Sequence, residues 1–292
     1  MTVADAIRRA AETLQPPLSD APRLEARILL ASALCRSDVW VFQNLQTNLS
    51  NDDARGFLDL VERRASGEPL AYLVGEREFF GRSFRVDPRV LVPRPETEVL
   101  VERAIALARN GEVGLDAGVV DVGTGSGVIA ITVALEVPSA RIVAADYSAA
   151  ALELARLNVA RYGLSKRVEL VQGDVVGWLG RPAALILANL PYIPSGQLPN
   201  LPPAVQREPR LALDGGPDGL DLYRRLFRQA QTCLSPNGAL LAEIAWDQGP
   251  TARSLAASSF PGRGVTLRPD LEGRDRVLEV GRQAEPAANQ AL

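Results

Sequence analysis

A chain of 292 residues, 47% hydrophobic and 23% charged, has the balance of a well-cored soluble protein of one large or two ordinary domains. A formal net charge of −3 gives no overall field to gather nucleic acid, and no apolar run approaches the roughly 18 residues of a membrane span. Histidine is absent, and Cys35 and Cys233 lie far apart in apolar surroundings, which excludes the usual zinc sets and a thiol–imidazole pair. No metal site is expected. Free buried cysteines suit a reducing compartment, and residues 1–14 lack the apolar core of a signal peptide, so a cytoplasmic location is expected.

Helical spacing dominates up to about residue 73. Val3, Ile7, Ala10 and Leu14 share one face. Asp20 reads as an N-cap and Pro22 as a first-turn residue of a second helix, with Leu24, Ile28 and Ala31 inward. Asn51 reads as the cap of a further helix with Phe57, Leu58 and Val61 inward, stopped by Gly67 and Pro69. The expectation is a small helical bundle, either scaffold or partner-binding unit. The period then changes, and 79–86 predicts a β-hairpin turning near Gly81-Arg82. Residues 93–98 lead into a helix through Leu107 that ends at Asn110-Gly111.

Beyond that point strands and helices alternate. Strands are predicted at 118–122, 141–145, 168–172, 183–188, 238–244, 264–267 and 276–280, and helices at 127–135, 149–162, 220–234 and 251–258. Such alternation implies an α/β fold, with a mostly parallel seven-stranded sheet covered by helices on both faces. Only residues 268–275 join the last two strands, too few for a parallel crossover, so these should pair antiparallel. A long irregular stretch, 191–219, separates the fourth strand from the helix before the fifth, and 283–292 reads as a loose tail.

The first of these strands runs into Asp121-Val122-Gly123-Thr124-Gly125-Ser126-Gly127, with a helix immediately after. Glycines there let backbone approach a ligand with no Cβ in the way, at the strand ends where such sheets bind ligands. Asp121 can face a cationic methionine group, Asp146 can accept from both ribose hydroxyls, and Asp174, followed by Val175, can meet an adenine amino group. Three acidic strand ends without a group to neutralise pyrophosphate suit a phosphate-free ligand, S-adenosylmethionine. Gly125 to Ala130 also satisfies G-x-G-x-x-A, which leaves a dinucleotide site as a competitor, and a ligand-free glycine turn as a blander one.

The fourth strand delivers Asn189-Leu190-Pro191-Tyr192, where amino-methylating enzymes carry an (N/D/S)-P-P-(Y/F/W) tetrapeptide. An amide nitrogen is a poor nucleophile because its lone pair is delocalised. The Asn189 side-chain oxygen and the carbonyl of Leu190 can accept both of its N–H bonds, and Tyr192 offers a flat face for a planar group. Catalysis of this kind is positioning plus aimed dipoles. Leu190 is expected to act only through its carbonyl.

The chain resembles the PrmC/HemK family of methyltransferases over nearly its whole length. The resemblance rests on 67–75 (Gly-Glu-Pro-Leu-Ala-Tyr-Leu-Val-Gly), on Glu78-Phe79-Phe80-Gly81, on 90–98 (Val-Leu-Val-Pro-Arg-Pro-Glu-Thr-Glu), and on 208–220 from Glu208-Pro209-Arg210 to Asp218-Gly219-Leu220. It implies S-adenosylmethionine-dependent methylation of the glutamine in the Gly-Gly-Gln loop of peptide-chain release factors. It also implies a class I methyltransferase sheet at 93–282, a helical substrate-recognition domain at 1–75, and a hairpin linker at 76–92. Arg94 and Glu96 join the tetrapeptide as expected substrate contacts. The chain departs from the family where Leu190 replaces a proline, and where Val175, with Trp178 three residues on, stands in place of an aromatic. A nucleic-acid amino-methyltransferase, which should show a basic aromatic groove, and a non-catalytic partner-binding relative remain the alternatives. The basic residues look dispersed, and neither direct nucleic-acid binding nor a membrane is expected.

Overall fold

The computed structural model describes residues 1–283, so the expected loose tail lies almost wholly outside the described residues. The chain divides into two compact units. The first comprises Met1–Arg77, Val86–Pro88 and Leu201–Glu208, and the second the remainder.

The first unit is helical, with α1 (Val3–Thr13), α2 (Pro22–Ala33), α3 (Asp38–Gln43), α4 (Asn51–Ala65) and α5 (Leu70–Val74). Phe57, Leu14, Leu29, Leu30 and Val41 form its dry centre. Helix α4 is capped by Ser50, whose hydroxyl accepts from the Asp53 N–H at 3.1 Å, one residue before the expected Asn51 cap. Helix α2 starts after Ala21 with no side-chain cap, so Asp20 does not serve as one. Two inward assignments are also corrected: Leu24 is 46% and Leu58 49% exposed. In α2 the buried residues are Ala26, Leu29, Leu30 and the expected Ala31, and in α4 they are Phe57, Val61 and Arg64. Arg64 is tolerated there because it bonds Glu25 at 2.7 Å and the Leu18 carbonyl at 2.7 Å.

The chain leaves this unit within β1 (Glu76–Phe79), which pairs with β2 (Arg82–Arg85). The turn is Phe80-Gly81, one residue earlier than expected, and both residues have positive φ (52° and 69°). That is the backbone of a tight hairpin turn matched to strand twist. Phe80 accepts it while its N–H donates to Glu98 Oε1 at 2.7 Å.

The second unit continues with α6 (Thr97–Arg109), β3 (Val119–Val122), α7 (Val128–Glu136), β4 (Ile142–Asp146), α8 (Ala149–Arg161), β5 (Val168–Gln172) and β6 (Ala183–Ala188). After the short α9 (Pro203–Gln206), which counts with the first unit, come α10 (Asp221–Cys233), β7 (Leu234–Glu243), α11 (Gly249–Ser259), β8 (Arg263–Pro269) and β9 (Asp275–Gln283). The sheet order is β5-β4-β3-β6-β7-β9-β8. Strands β3 to β7 are parallel, and β9 pairs antiparallel with both β7 and β8. The reversed strand is thus inserted one place in from the edge.

Alternation along the strands feeds two cores. Val119, Leu185 and Leu187 pack with α6 and α7 on one face. Val120, Ile186 and Ala188 pack with Tyr223, Leu226 and Phe227 of α10 on the other. Strand order reverses at β3, which places a crevice beyond its carboxyl end. Cys233 is buried as expected, but Cys35 is exposed.

Candidate active site

A cavity of about 390 Å³ lies in the second unit over the carboxyl ends of β3, β4, β5 and β6. Of the residues singled out from sequence, Gly123, Thr124, Gly125, Ser126, Asp146, Asp174, Val175, Asn189, Leu190, Pro191 and Arg94 line it. Asp121, Gly127, Tyr192 and Glu96 are not in its lining.

The glycine loop is shaped by two carboxylates. Asp146 Oδ2 accepts from the Gly125 N–H at 2.9 Å and Oδ1 from the Ser148 N–H at 2.8 Å. Gly125 has φ +54°, and a Cβ built there meets nothing within 4 Å, so the loop leaves open space at its tip. Burial raises the Asp146 pKa against those backbone hydrogen bonds. Asp121 sits behind the loop, fully buried. Its Oδ2 accepts from Thr124 Oγ1 at 2.6 Å and the Ala130 N–H at 3.2 Å, while Oδ1 has no hydrogen-bond partner.

Burial pushes Asp121 up to about 7 from an ordinary 3.8, with hydrogen bonds from Thr124 and Ala130 opposing and Asp146 adding. The folded state therefore holds more protons than the unfolded chain between those values. The stability that goes with this raised pKa is complete below about 4 and lost as pH rises through 7. Asp121→Asn should gain stability on the parent protein as pH is raised from about 5 to about 8. Thermal melts at the two ends of that range check this, and a constant difference would contradict it.

At the end of β5, Asp174 is paired with Arg225 of α10. Val175 follows with φ +54°, a conformation that a β-branched residue rarely takes. Its carbonyl accepts from Trp178 Nε1 at 2.9 Å. The Trp178 ring lies against the Gly173 backbone, where a Cβ would come within 2.3 Å of it, and it is not in the cavity lining.

The exit of β6 is held from three sides. Asn189 Nδ2 donates to Thr97 Oγ1 at 3.0 Å, leaving Oδ1 as the acceptor of that side chain. The Tyr223 hydroxyl lies between the carbonyl oxygens of Leu190, at 3.0 Å, and Glu243. Gln248 Nε2 donates to the Tyr192 carbonyl at 3.0 Å and the Asp218 carbonyl at 3.3 Å. Gly219, at φ +78°, passes so close that a Cβ would lie 2.1 Å from the Tyr192 carbonyl oxygen. Tyr192 itself reaches Glu243 Oε1 at 3.5 Å, and burial raises its pKa.

The Leu190 side chain has a packing role beside the carbonyl role expected of the residue. It is buried in the core with Tyr223 and Leu226, and its Cδ2 lies 3.0 Å from where a Gly123 Cβ would stand. It therefore packs the tetrapeptide against the glycine loop. Sequence reasoning assigned no role to Thr97, Tyr223 or Glu243, and it missed Arg89 and Arg225, which line the cavity together with the expected Arg94. A glutamate ending the apolar run 239–242 was the available signal for Glu243.

A seven-stranded sheet with one inserted reversed strand, a glycine loop after its central strand and Asn-Leu-Pro-Tyr after the neighbouring strand defines a class I methyltransferase. The same fold occurs in the hMettl16 catalytic domain (TM-score 0.56, 16% identity, 78% of this chain and 83% of that one). It occurs also in ribosomal protein L11 methylase from Lactobacillus delbrueckii subsp. bulgaricus (TM-score 0.51, 20% identity, 71% and 90%). Residues 5–75 match the PrmC N-terminal domain and 97–199 the methyltransferase small domain. The release factor glutamine methyltransferase of Moorella thermoacetica is 42% identical over 98% of this chain and 100% of its own length. That of Nitratidesulfovibrio vulgaris is 40% identical over 95% and 94%. The chain belongs to the release factor glutamine methyltransferase family.

Proposed function

We propose that this enzyme transfers a methyl group from S-adenosylmethionine to the side-chain amide nitrogen of the glutamine in the Gly-Gly-Gln loop of peptide-chain release factors. The observation that carries the site assignment is Asn189. Its amino end is held by Thr97 at 3.0 Å, which leaves its oxygen as an acceptor in a residue that lines the cavity.

The cavity suits the cofactor. Its volume of about 390 Å³ falls in the range of small-molecule sites. Each Asp146 oxygen accepts one backbone N–H, and a carboxylate has about four acceptor positions, so a ribose diol can be received as well. Asp121, buried behind the loop and outside the cavity lining, serves the site by holding Thr124 and the Ala130 N–H rather than by reaching the ligand. Asp174 and Val175 line the adenine end, Asp174 sharing its charge with Arg225. Bound there, S-adenosylmethionine supplies an electrophilic methyl group on a sulfonium.

The protein's own part is to aim the nitrogen. Asn189 Oδ1 accepts one N–H of the glutamine amide and the Leu190 carbonyl the other. A carbonyl accepts two hydrogen bonds, so the Tyr223 hydroxyl already there does not fill it. Arg94, Pro191 and the wall residues Pro209, Leu211 and Ala212 line the cavity that would receive the amide. Arg89 and Arg225 are engaged by Glu153 and Asp174, so they do not make a free basic groove for nucleic acid. The helical residues 1–75 hold the protein substrate in this reading, and the location is cytoplasmic; among the described residues no helix is long and apolar enough to cross a membrane.

Methyl transfer to a purified release factor, beside a variant with Ala for the loop glutamine and beside ribosomal RNA, tests the substrate. Transfer to the intact loop alone is expected; equal transfer to the Ala variant or preference for RNA would overturn it. Leu190→Ala should cost about 2–5 kcal/mol of stability, since it empties a buried site against Gly123. Denaturant unfolding measures that, and a loss below about 1 kcal/mol would contradict the packing role.

A further inference from the structure

We propose that Tyr223 is a positioning residue that fixes the direction of the Leu190 carbonyl, a restraint that a proline at position 190 would supply through its ring. This rests on the function proposed above and deepens it, because that carbonyl is the second acceptor for the glutamine amide. An acceptor serves catalysis only when it is aimed, and its aim is set by backbone torsion. Pro191 keeps Leu190 out of the helical region. The φ of a leucine can still range over roughly 100° of the extended basin, where a proline would stay within about 15° of −65°. Rotation about that bond carries the carbonyl with it.

Backbone pairing does not supply the restraint. The last register pair between β6 and β7 is Ala188 with Ala242. Beyond it β6 leaves the ladder, and no backbone N–H among the described residues donates to the Leu190 carbonyl. The Tyr223 hydroxyl does, at 3.0 Å, and it donates also to the carbonyl of Glu243, which ends β7. One proton shared between two carbonyls makes a three-centre hydrogen bond. It ties the exit of β6 to the end of β7 just past the ladder. A second lone pair on the Leu190 oxygen is left for the substrate N–H.

The hydroxyl is itself firmly mounted. Tyr223 stands in the first turn of α10, whose buried residues Tyr223, Leu226, Phe227, Ala230 and Cys233 recur at helical spacing. Its side chain has no exposed surface, and its ring lies 6.2 Å from that of Phe227 at 58°. Phe227 in turn meets Phe260 edge-on at 6.1 Å, so the stack has little room to turn. Burial holds the hydroxyl protonated well past the usual 10, which keeps it a donor through neutral pH. Two residues beyond Leu190, Gln248 Nε2 holds the Tyr192 carbonyl at 3.0 Å. The carbonyls on either side of Pro191 are thus both pinned by side chains distant in sequence.

The test uses the full-length enzyme, S-adenosylmethionine and a release factor, with Tyr223→Phe made alone and together with Leu190→Pro. Tyr223→Phe keeps the ring and its packing and loses only the hydroxyl. Its kcat should fall roughly tenfold at saturating release factor, with cofactor affinity by calorimetry within about twofold of the parent. The variant should also melt lower, because two buried carbonyls lose their donor, so kinetics are run well below its melting temperature. In the Leu190→Pro background the ring of proline already limits φ, and adding Tyr223→Phe should cost kcat no more than about threefold. A Tyr223→Phe enzyme that melts lower yet turns over at the parental kcat would reduce Tyr223 to a structural residue and overturn the inference. Equal losses in the leucine and proline backgrounds would overturn it too, while leaving the proposed function standing. If the proline variants do not fold, the kcat of Tyr223→Phe alone decides. An inactive parent enzyme would overturn the proposed function, and the inference with it.

Discussion

Asn189→Ala should lower kcat for methyl transfer to a release factor by about 10²–10³-fold, or about 2.7–4 kcal/mol in the barrier, with little change in cofactor affinity. The size follows from what is lost. Asn189 Oδ1 is a preorganised acceptor, held by the Thr97 bond at 3.0 Å, and no reorganisation is needed when the amide nitrogen begins to donate electrons. The Leu190 carbonyl remains in the variant, so some alignment persists and activity should not vanish. Single-turnover kinetics with saturating cofactor separates this loss from weakened binding. A variant whose KM for release factor rises while kcat stays at the parental value would assign Asn189 to ground-state binding alone.

Asp146→Ala should weaken S-adenosylmethionine binding by about 1.5–3 kcal/mol, roughly tenfold to a hundredfold. Two effects add. The ribose acceptor goes, and the Gly125 and Ser148 N–H groups, now bonded at 2.9 and 2.8 Å, lose the carboxylate that shapes the loop. Because burial raises the Asp146 pKa, affinity in the parent enzyme should decline as pH is lowered and the acceptor is protonated. Isothermal calorimetry across pH checks both statements, and unchanged affinity in the variant would remove Asp146 from the site.

Much of the sheet was legible because its physics is local. A strand buried on both faces reads as an unbroken apolar run, and Ala183–Ala188 is one. The eight-residue link 268–275 forces an antiparallel pair whatever surrounds it. What it does not say is where that pair inserts, and β9 entered between β7 and β8. Helix faces were less legible where two registers compete. Phe57 and Leu58 both stand at helical spacing from Val61, and the bundle accepts Phe57 while Leu58 faces out. In α2 the weight of Leu24 misled, because the packed stripe begins at a small residue, Ala26.

The site divides in the same way. The glycine loop and the tetrapeptide are contiguous, so their spacing carries their meaning. The partners that give them direction are distant in sequence: Thr97 reaches Asn189 across 92 residues, and Arg225 reaches Asp174 across 51. No periodicity encodes such meetings. Asp121 shows the converse, a residue read correctly as a strand-end acid whose carboxylate turns back to Thr124 and Ala130.

The most direct measurement is to locate the transferred methyl group. The enzyme is incubated with a release factor and S-adenosylmethionine bearing a carbon-13 methyl, and the digested product is mapped by fragmentation mass spectrometry and by the NMR signal of the labelled methyl. The proposed function predicts the label on the side-chain amide nitrogen of the Gly-Gly-Gln glutamine and on no other residue. A label on a different side chain, or an unlabelled loop alongside labelled RNA when both are offered, would contradict it.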